Sequence, residues 1–253
     1  YGIRRFRAYS RMTDMVTYDG LLERLRGFSE EEFAAFNRRV VNDEKLEVIG
    51  VRMPQLRKVA KEYYGYFGEV SLFPDEYFEV VFVKLCLASR LKYEDFIKVS
   101  DGCVALLSDW ALCDCFAPAC VAKNRESYIP FIKKYLSEHG GYRGGEFVRR
   151  FALTTLLHFY VEEDYLPLIF SCIENCDPAP YYVAMGAAWL LAEVLVKHYA
   201  AGFEFLSSTM CDINIKLKAI SKACDSYRIS PAQKAELRAL RAGLKEKLRA
   251  AKF

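Results

Sequence analysis

The chain has 253 residues, 53% of them hydrophobic and 27% charged, with a formal net charge of +3. That balance suits a globular protein with a sizeable core and excludes intrinsic disorder. No run of about 18 uncharged apolar residues occurs, which excludes a membrane-spanning helix, and Arg4, Arg5, Arg7 and Arg11 precede no apolar core of the kind a secretory leader carries.

Residues 1–18 show no clear period and read as an N-terminal extension; residues 19–253 read as a single helical-repeat domain. From Leu21 onward apolar residues recur at helical spacing almost without interruption. Ser29 followed by Glu30, Glu31 and Glu32 has the form of a capping box, with Ser29 as N-cap and Phe33, Phe36, Val40 and Val41 as the apolar stripe. Gly50 marks a tight turn and Pro54 suits the first turn of the next helix, which Gly65 and Gly68 close. A helix is expected over 75–89, two shorter pieces over 93–100 and 104–107, and one from Trp110 to about Ala122, bent or split near Pro118. Further helices are expected near 126–137, 146–160, 164–174, 180–198, 214–226 and 231–250, the last with Ser230 as N-cap and Pro231 at its first position. No stretch alternates convincingly between polar and apolar residues. A dozen or so helices joined by short loops predict an all-α fold, a helical-repeat solenoid rather than a compact bundle.

The nine cysteines are odd in number and lie mostly within apolar helical patterns. Cys113-x-Cys115 and Cys172-x3-Cys176 lack the paired spacing and histidine partners of a zinc site, so the thiols read as free and buried in a reducing cytoplasm, with no metal. Basic residues gather at Arg52, Arg57 and Lys58 with Lys61, at Arg143, Arg149 and Arg150, and along 234–252. Any one such cluster also suits a plain solvated helix face.

The most informative stretch runs from Ser108 to Asp114. On a helix, Trp110 and Asp114 share a face one turn apart. Arg150 follows roughly 36 residues later and Trp189 roughly 39 after that, close to the length of a HEAT-type repeat, so the four side chains are expected along one concave wall. The set contains no nucleophile beside a histidine, no metal-ligand group and no glycine-rich phosphate loop. Two indoles and a carboxylate instead favour a cation, or a transition state that becomes one. Against this stand plainer readings: the tryptophans as core residues, the Trp–Asp pair as a cap on a neighbouring helix, and Arg149 or Arg150 as a structural ion-pair partner of Asp114.

The segments 48–57, 109–114, 147–152, 181–189 and 225–228 resemble the AlkD-like DNA alkylation repair proteins, a family of HEAT-like arrays (α-α superhelices), over about residues 20–245. The resemblance implies a monomeric glycosylase, free of cofactor and metal, acting in the cytoplasm on double-stranded DNA with N3- or N7-alkylated purines. It implies catalytic positions at Asp114, Trp110 and Trp189 and a phosphate contact at Arg150. Arg149, Arg57, Arg52 and Lys58 join the DNA-binding expectation as basic neighbours. The chain departs from the characterised members at Ala184, Met185 and Ala192, which stand where those carry polar or basic residues. A non-catalytic DNA-binding or protein-binding repeat protein of the same ancestry is the alternative. Two further sets stay open: Tyr181, Tyr182 and Tyr227 as duplex contacts or as core and rim, and Lys216, Lys218, Lys222 and Arg228 as phosphate contacts or a solvated face.

Overall fold

The computed structural model describes residues 16–41, 43, 45–137, 145–208 and 210–250, so most of the expected N-terminal extension, and Arg143, lie outside the described residues. The fold is an all-α helical repeat. The only β pairing among the described residues is two isolated bridges, Ser29 with Val51 and Glu47 with Tyr77. The chain divides into two compact units, Tyr1–Lys123 and Asn124–Phe253.

In the first unit, helix α1 (Tyr18–Arg26) starts at Thr17, whose hydroxyl accepts the Gly20 N–H at 3.1 Å, and buries Leu21, Leu22 and Leu25. Helix α2 (Glu31–Val40) lacks the expected capping box. Ser29 is not its N-cap: the Ser29 hydroxyl donates to the Ile49 carbonyl at 2.5 Å and its backbone bridges to Val51. The hydroxyl is thus held by a distant carbonyl, and the Ser29 N–H donates back to the Arg26 carbonyl at 3.1 Å, so neither serves the start of α2. Gly50 has φ of +93°, and a Cβ there would lie 2.6 Å from the Ala34 Cβ, so the turn against α2 admits only glycine. The turn is pinned from below by Glu79, which is fully buried and accepts the N–H groups of Ile49, Gly50 and Val51 at 3.0, 2.8 and 3.3 Å.

Helix α3 (Met53–Glu62) begins with Pro54 in its first turn and buries Leu56, Val59 and Ala60. Gly65 follows it with φ of +102°, whereas Gly68 lies inside a further short helix, α4 (Phe67–Val70), and does not end α3. Helix α5 (Phe78–Ala88) is buried almost all round and packs against α3. It starts later than residue 75 because Tyr77 bridges to Glu47 and Asp75 turns its carboxylate to Lys84 at 2.6 Å. Helix α6 (Tyr93–Ala105) is continuous where two pieces were expected, since Asp101 and Gly102 stay within it. Helix α7 (Trp110–Cys115) is short: Phe116 is extended, as a chain approaching Pro118 tends to be, and a 3-10 turn (Ala119–Lys123) replaces the rest.

The second unit contains α8 (Arg125–Leu136), α9 (Glu146–Phe159), α10 (Leu166–Glu174), α11 (Tyr181–Lys197), α12 (Tyr199–Ser208), α13 (Ile213–Asp225) and α14 (Pro231–Ala250). Helices α9, α11 and α13 pack side by side in one row, with α8 on α9, α12 on α11 and α14 on α13. Every second helix therefore returns to the same layer, which is the packing of a helix-pair repeat. Gly186 permits the close approach of α9: a Cβ there would lie 3.4 Å from both the Arg150 Cγ and the Leu153 Cδ1. Helix α12 was not expected. It follows α11 after a bend at His198 (φ −134°, ψ 61°) with no glycine or proline to announce it, and Gly202 tucks against Leu195.

Candidate nucleic-acid interface

In the first unit the site residues are set by the start of α7. Asp109 is buried and spends its carboxylate on the N–H of Ala111 at 2.7 Å, fixing the helix start so that Trp110 is its first residue. The indole is 42% exposed, which removes the reading of Trp110 as core. Asp114 is half-buried one turn on, on the same face. Behind it, Arg57 of α3 is exposed and points its guanidinium at the Cys115 sulfur, 4.0 Å away. Burial pushes the Cys115 thiol up, and the Arg57 charge partly offsets that. An open indole with a carboxylate one turn away offers a cation both a π face and a counter-charge.

The other two basic candidates of α3 face elsewhere. Arg52 lies in an exposed ion pair with Glu30, its Nε 2.9 Å from both carboxylate oxygens, and stacks over Phe33 at 4.8 Å. Lys58 is exposed, its amine 5.7 Å from the Phe28 ring centroid. Residues spaced for one helix face or another thus meet different neighbours, and only Arg57 stands beside α7.

In the second unit Trp189 is half-buried and lines an open cleft of about 290 Å³ together with Ala192, Glu193, Lys222, Asp225 and Arg228. Arg149 is bonded to Asp177 at 3.2 Å. Arg150, expected to reach a phosphate, is instead 6% exposed, and its Nη1 donates to the Tyr182 carbonyl at 3.0 Å. From the same helix, Glu146 accepts the Tyr182 N–H at 2.8 Å. Two side chains of α9 therefore grip the first turn of α11, and Trp189 lies two turns further along the helix so held.

The undecided residues separate by burial. Tyr182 is half-buried and packs on Phe147 at 4.9 Å, while Lys216 is buried, with burial lowering its pKa, and belongs to the interior. Tyr181, Tyr227, Lys218 and Arg228 reach the surface, with the Lys218 amine 5.0 Å from the centroid of the Tyr181 ring. Arg228 is also the base of the Trp189 cleft. It stands where Ala192 supplies no charge, and its two terminal nitrogens meet the Glu193 carboxylate at 3.0 and 2.7 Å. Sequence reading missed Glu193, although its place four residues after Trp189 was a usable signal. No helix is long and apolar enough to cross a membrane among the described residues.

A family model described as DNA alkylation repair enzyme matches residues 21–224. Among curated proteins none matches the chain. The matched span contains both tryptophans, Asp114 and every other expected site residue.

Proposed function

Since the chain belongs to the DNA alkylation repair enzyme family, we propose that it is a DNA glycosylase excising N3- and N7-alkylated, positively charged purines from duplex DNA. The observation that carries this reading is the solvent-open Trp110 indole with the Asp114 carboxylate one helical turn away.

Alkylation at N3 or N7 makes the base cationic, so the C1′–N bond breaks with its electron pair going to the base. The base leaves neutral and the sugar becomes an oxocarbenium-like cation. Water then adds at C1′ and loses its proton, leaving an abasic sugar. A leaving group of this kind calls for no strong general acid, metal or cofactor. It calls for negative charge near C1′, which Asp114 supplies, and for a flat surface against the cationic nucleotide, which the exposed Trp110 indole supplies. Arg57, exposed on α3 beside α7, is the cation we assign to a backbone phosphate, whereas Lys58 faces Phe28. Arg52 and Arg149 reach a phosphate only by leaving Glu30 and Asp177. Arg150 acts as a positioning residue for α11 through Tyr182.

The test is release of methylated purines from duplex DNA treated with a methylating agent. The wild-type chain is expected to release them, and Asp114→Asn to lose about 10²–10³ in rate with its circular dichroism spectrum and DNA affinity retained. Salt-dependent duplex binding without base release would instead identify a non-catalytic DNA-binding protein. Absence of salt-dependent affinity would identify a protein-binding scaffold.

A further inference from the structure

The cleft beside Trp189 holds an arrangement that base excision at Asp114 does not use. Glu193 follows Trp189 by one turn, so α11 repeats the indole-then-carboxylate spacing of Trp110 and Asp114. Glu193 is covered by a guanidinium: Arg228 Nη1 and Nη2 donate to its two oxygens, and Lys197 Nζ stands 3.9 Å off. The pair is lopsided. The Glu193 side chain is 16% exposed and fixed in a helix, while that of Arg228 is 60% exposed on the loop after α13. The acid is thus anchored and the base is the partner that swings.

What surrounds the pair points to its competitor. Lys222 lines the same cleft, and Lys218 lies one turn back along α13 against the exposed Tyr181 ring. Three cations therefore follow one edge of the second unit with aromatic surface between them, the composition that tracks a phosphodiester backbone. A phosphate offers a guanidinium the same forked pair of oxygens as a carboxylate does.

We propose that Arg228 is a phosphate-exchanged latch. It rests on Glu193 in the free protein and transfers to a backbone phosphate when duplex DNA lies along the α11–α13 edge, uncovering the carboxylate beside Trp189. The proposal rests on the DNA-binding reading given above. Exchange is feasible because the guanidinium end of the pair is open to solvent and a phosphate accepts the same forked pair of N–H bonds that the carboxylate gives up. Lys197 also remains near Glu193 after the guanidinium leaves.

Anisotropy titrations of unmodified duplex DNA between 50 and 200 mM salt test it, with Glu193→Gln, Arg228→Gln, the double variant and Arg228→Lys beside wild type. Glu193→Gln frees the latch and is expected to bind at least about two- to fivefold tighter, the factor of a solvent-exposed pair being the lower bound for a bidentate one with a mostly buried acid. Arg228→Gln is expected to bind more weakly, with the slope of log affinity against log salt smaller by about 0.9. Arg228→Lys keeps the charge and hence the slope. The double variant is expected to match Arg228→Gln, because Glu193 acts only through Arg228. The latch is overturned if Glu193→Gln binds no tighter than wild type, or if its gain survives in the double variant, which would mark mere removal of a negative charge. If wild type itself fails to bind duplex DNA, the DNA-repair reading falls with it. If wild type binds and Glu193→Gln shows no gain, the latch alone falls.

Discussion

Glu79 gives the most stringent test of how the first unit is held. Its carboxylate is 0% exposed and satisfies three consecutive backbone donors, with Oε2 taking Ile49 and Oε1 taking both Gly50 and Val51. Glu79→Gln keeps an oxygen for Gly50 and Val51 but turns an amide donor on the Ile49 N–H. One buried donor is left unmade, at about 1–3 kcal/mol. Glu79→Ala strands all three and removes packed carbon as well, for a loss of about 3–5 kcal/mol. Urea titration followed by circular dichroism measures both, and the order wild type, Gln, Ala is the critical result. Equal stability of all three within about 0.5 kcal/mol, or a Gln variant no better than the Ala one, would show that the turn is held by something other than these bonds. Because the turn leads directly into α3, the same variants are expected to weaken any DNA contact made by Arg57.

Gly50→Ala combines a positive φ with a Cβ 2.6 Å from the Ala34 Cβ, and should cost at least about 1–3 kcal/mol in the same urea assay. Arg150→Gln should lower the melting temperature while leaving the salt slope of DNA binding unchanged; a phosphate contact would show the reverse pattern. The thiols predict an alkaline limit. Burial pushes Cys103 and Cys211 up to about 12 from an ordinary 9.0. The folded state therefore keeps protons that the unfolded state gives up, and stability is full below pH 9 and falls as pH rises toward 12. The urea midpoint should drop between pH 8.5 and 10.5, roughly astride that lower bound, and drop less in a Cys103→Ala, Cys211→Ala variant.

Helix positions were legible wherever period and turn chemistry agreed. Pro54 opens α3, and Ser230 caps α14, its hydroxyl accepting the Gln233 N–H at 3.3 Å. Reading failed where a distant partner decided the outcome. Ser29 has the sequence of a cap but is claimed by Ile49 and Val51, twenty residues on. Helix α12 went unseen because no glycine or proline stands at the bend at His198. In the site, i,i+4 spacing located the Trp110–Asp114 face. Arg150 looked like any surface arginine, since nothing local records that Gly186 draws α11 over its stem. The Glu193–Arg228 pair joins residues on α11 and on the loop after α13, 35 residues apart, and a repeat-length interval alone does not say that two side chains bond.

The thiols bear on the conditions under which such a protein works. Methylating reagents attack thiolates readily and protonated thiols poorly, and the thiolate fraction is set by how far the thiol pKa lies above ambient pH. Cys86, Cys103 and Cys211 are pushed up to about 12, and Cys172 and Cys176 to about 11. At neutral pH burial holds these side chains in the protonated form, so they are expected to react with a methylating reagent more slowly than an exposed cysteine does, as mass spectrometry of the treated protein would show.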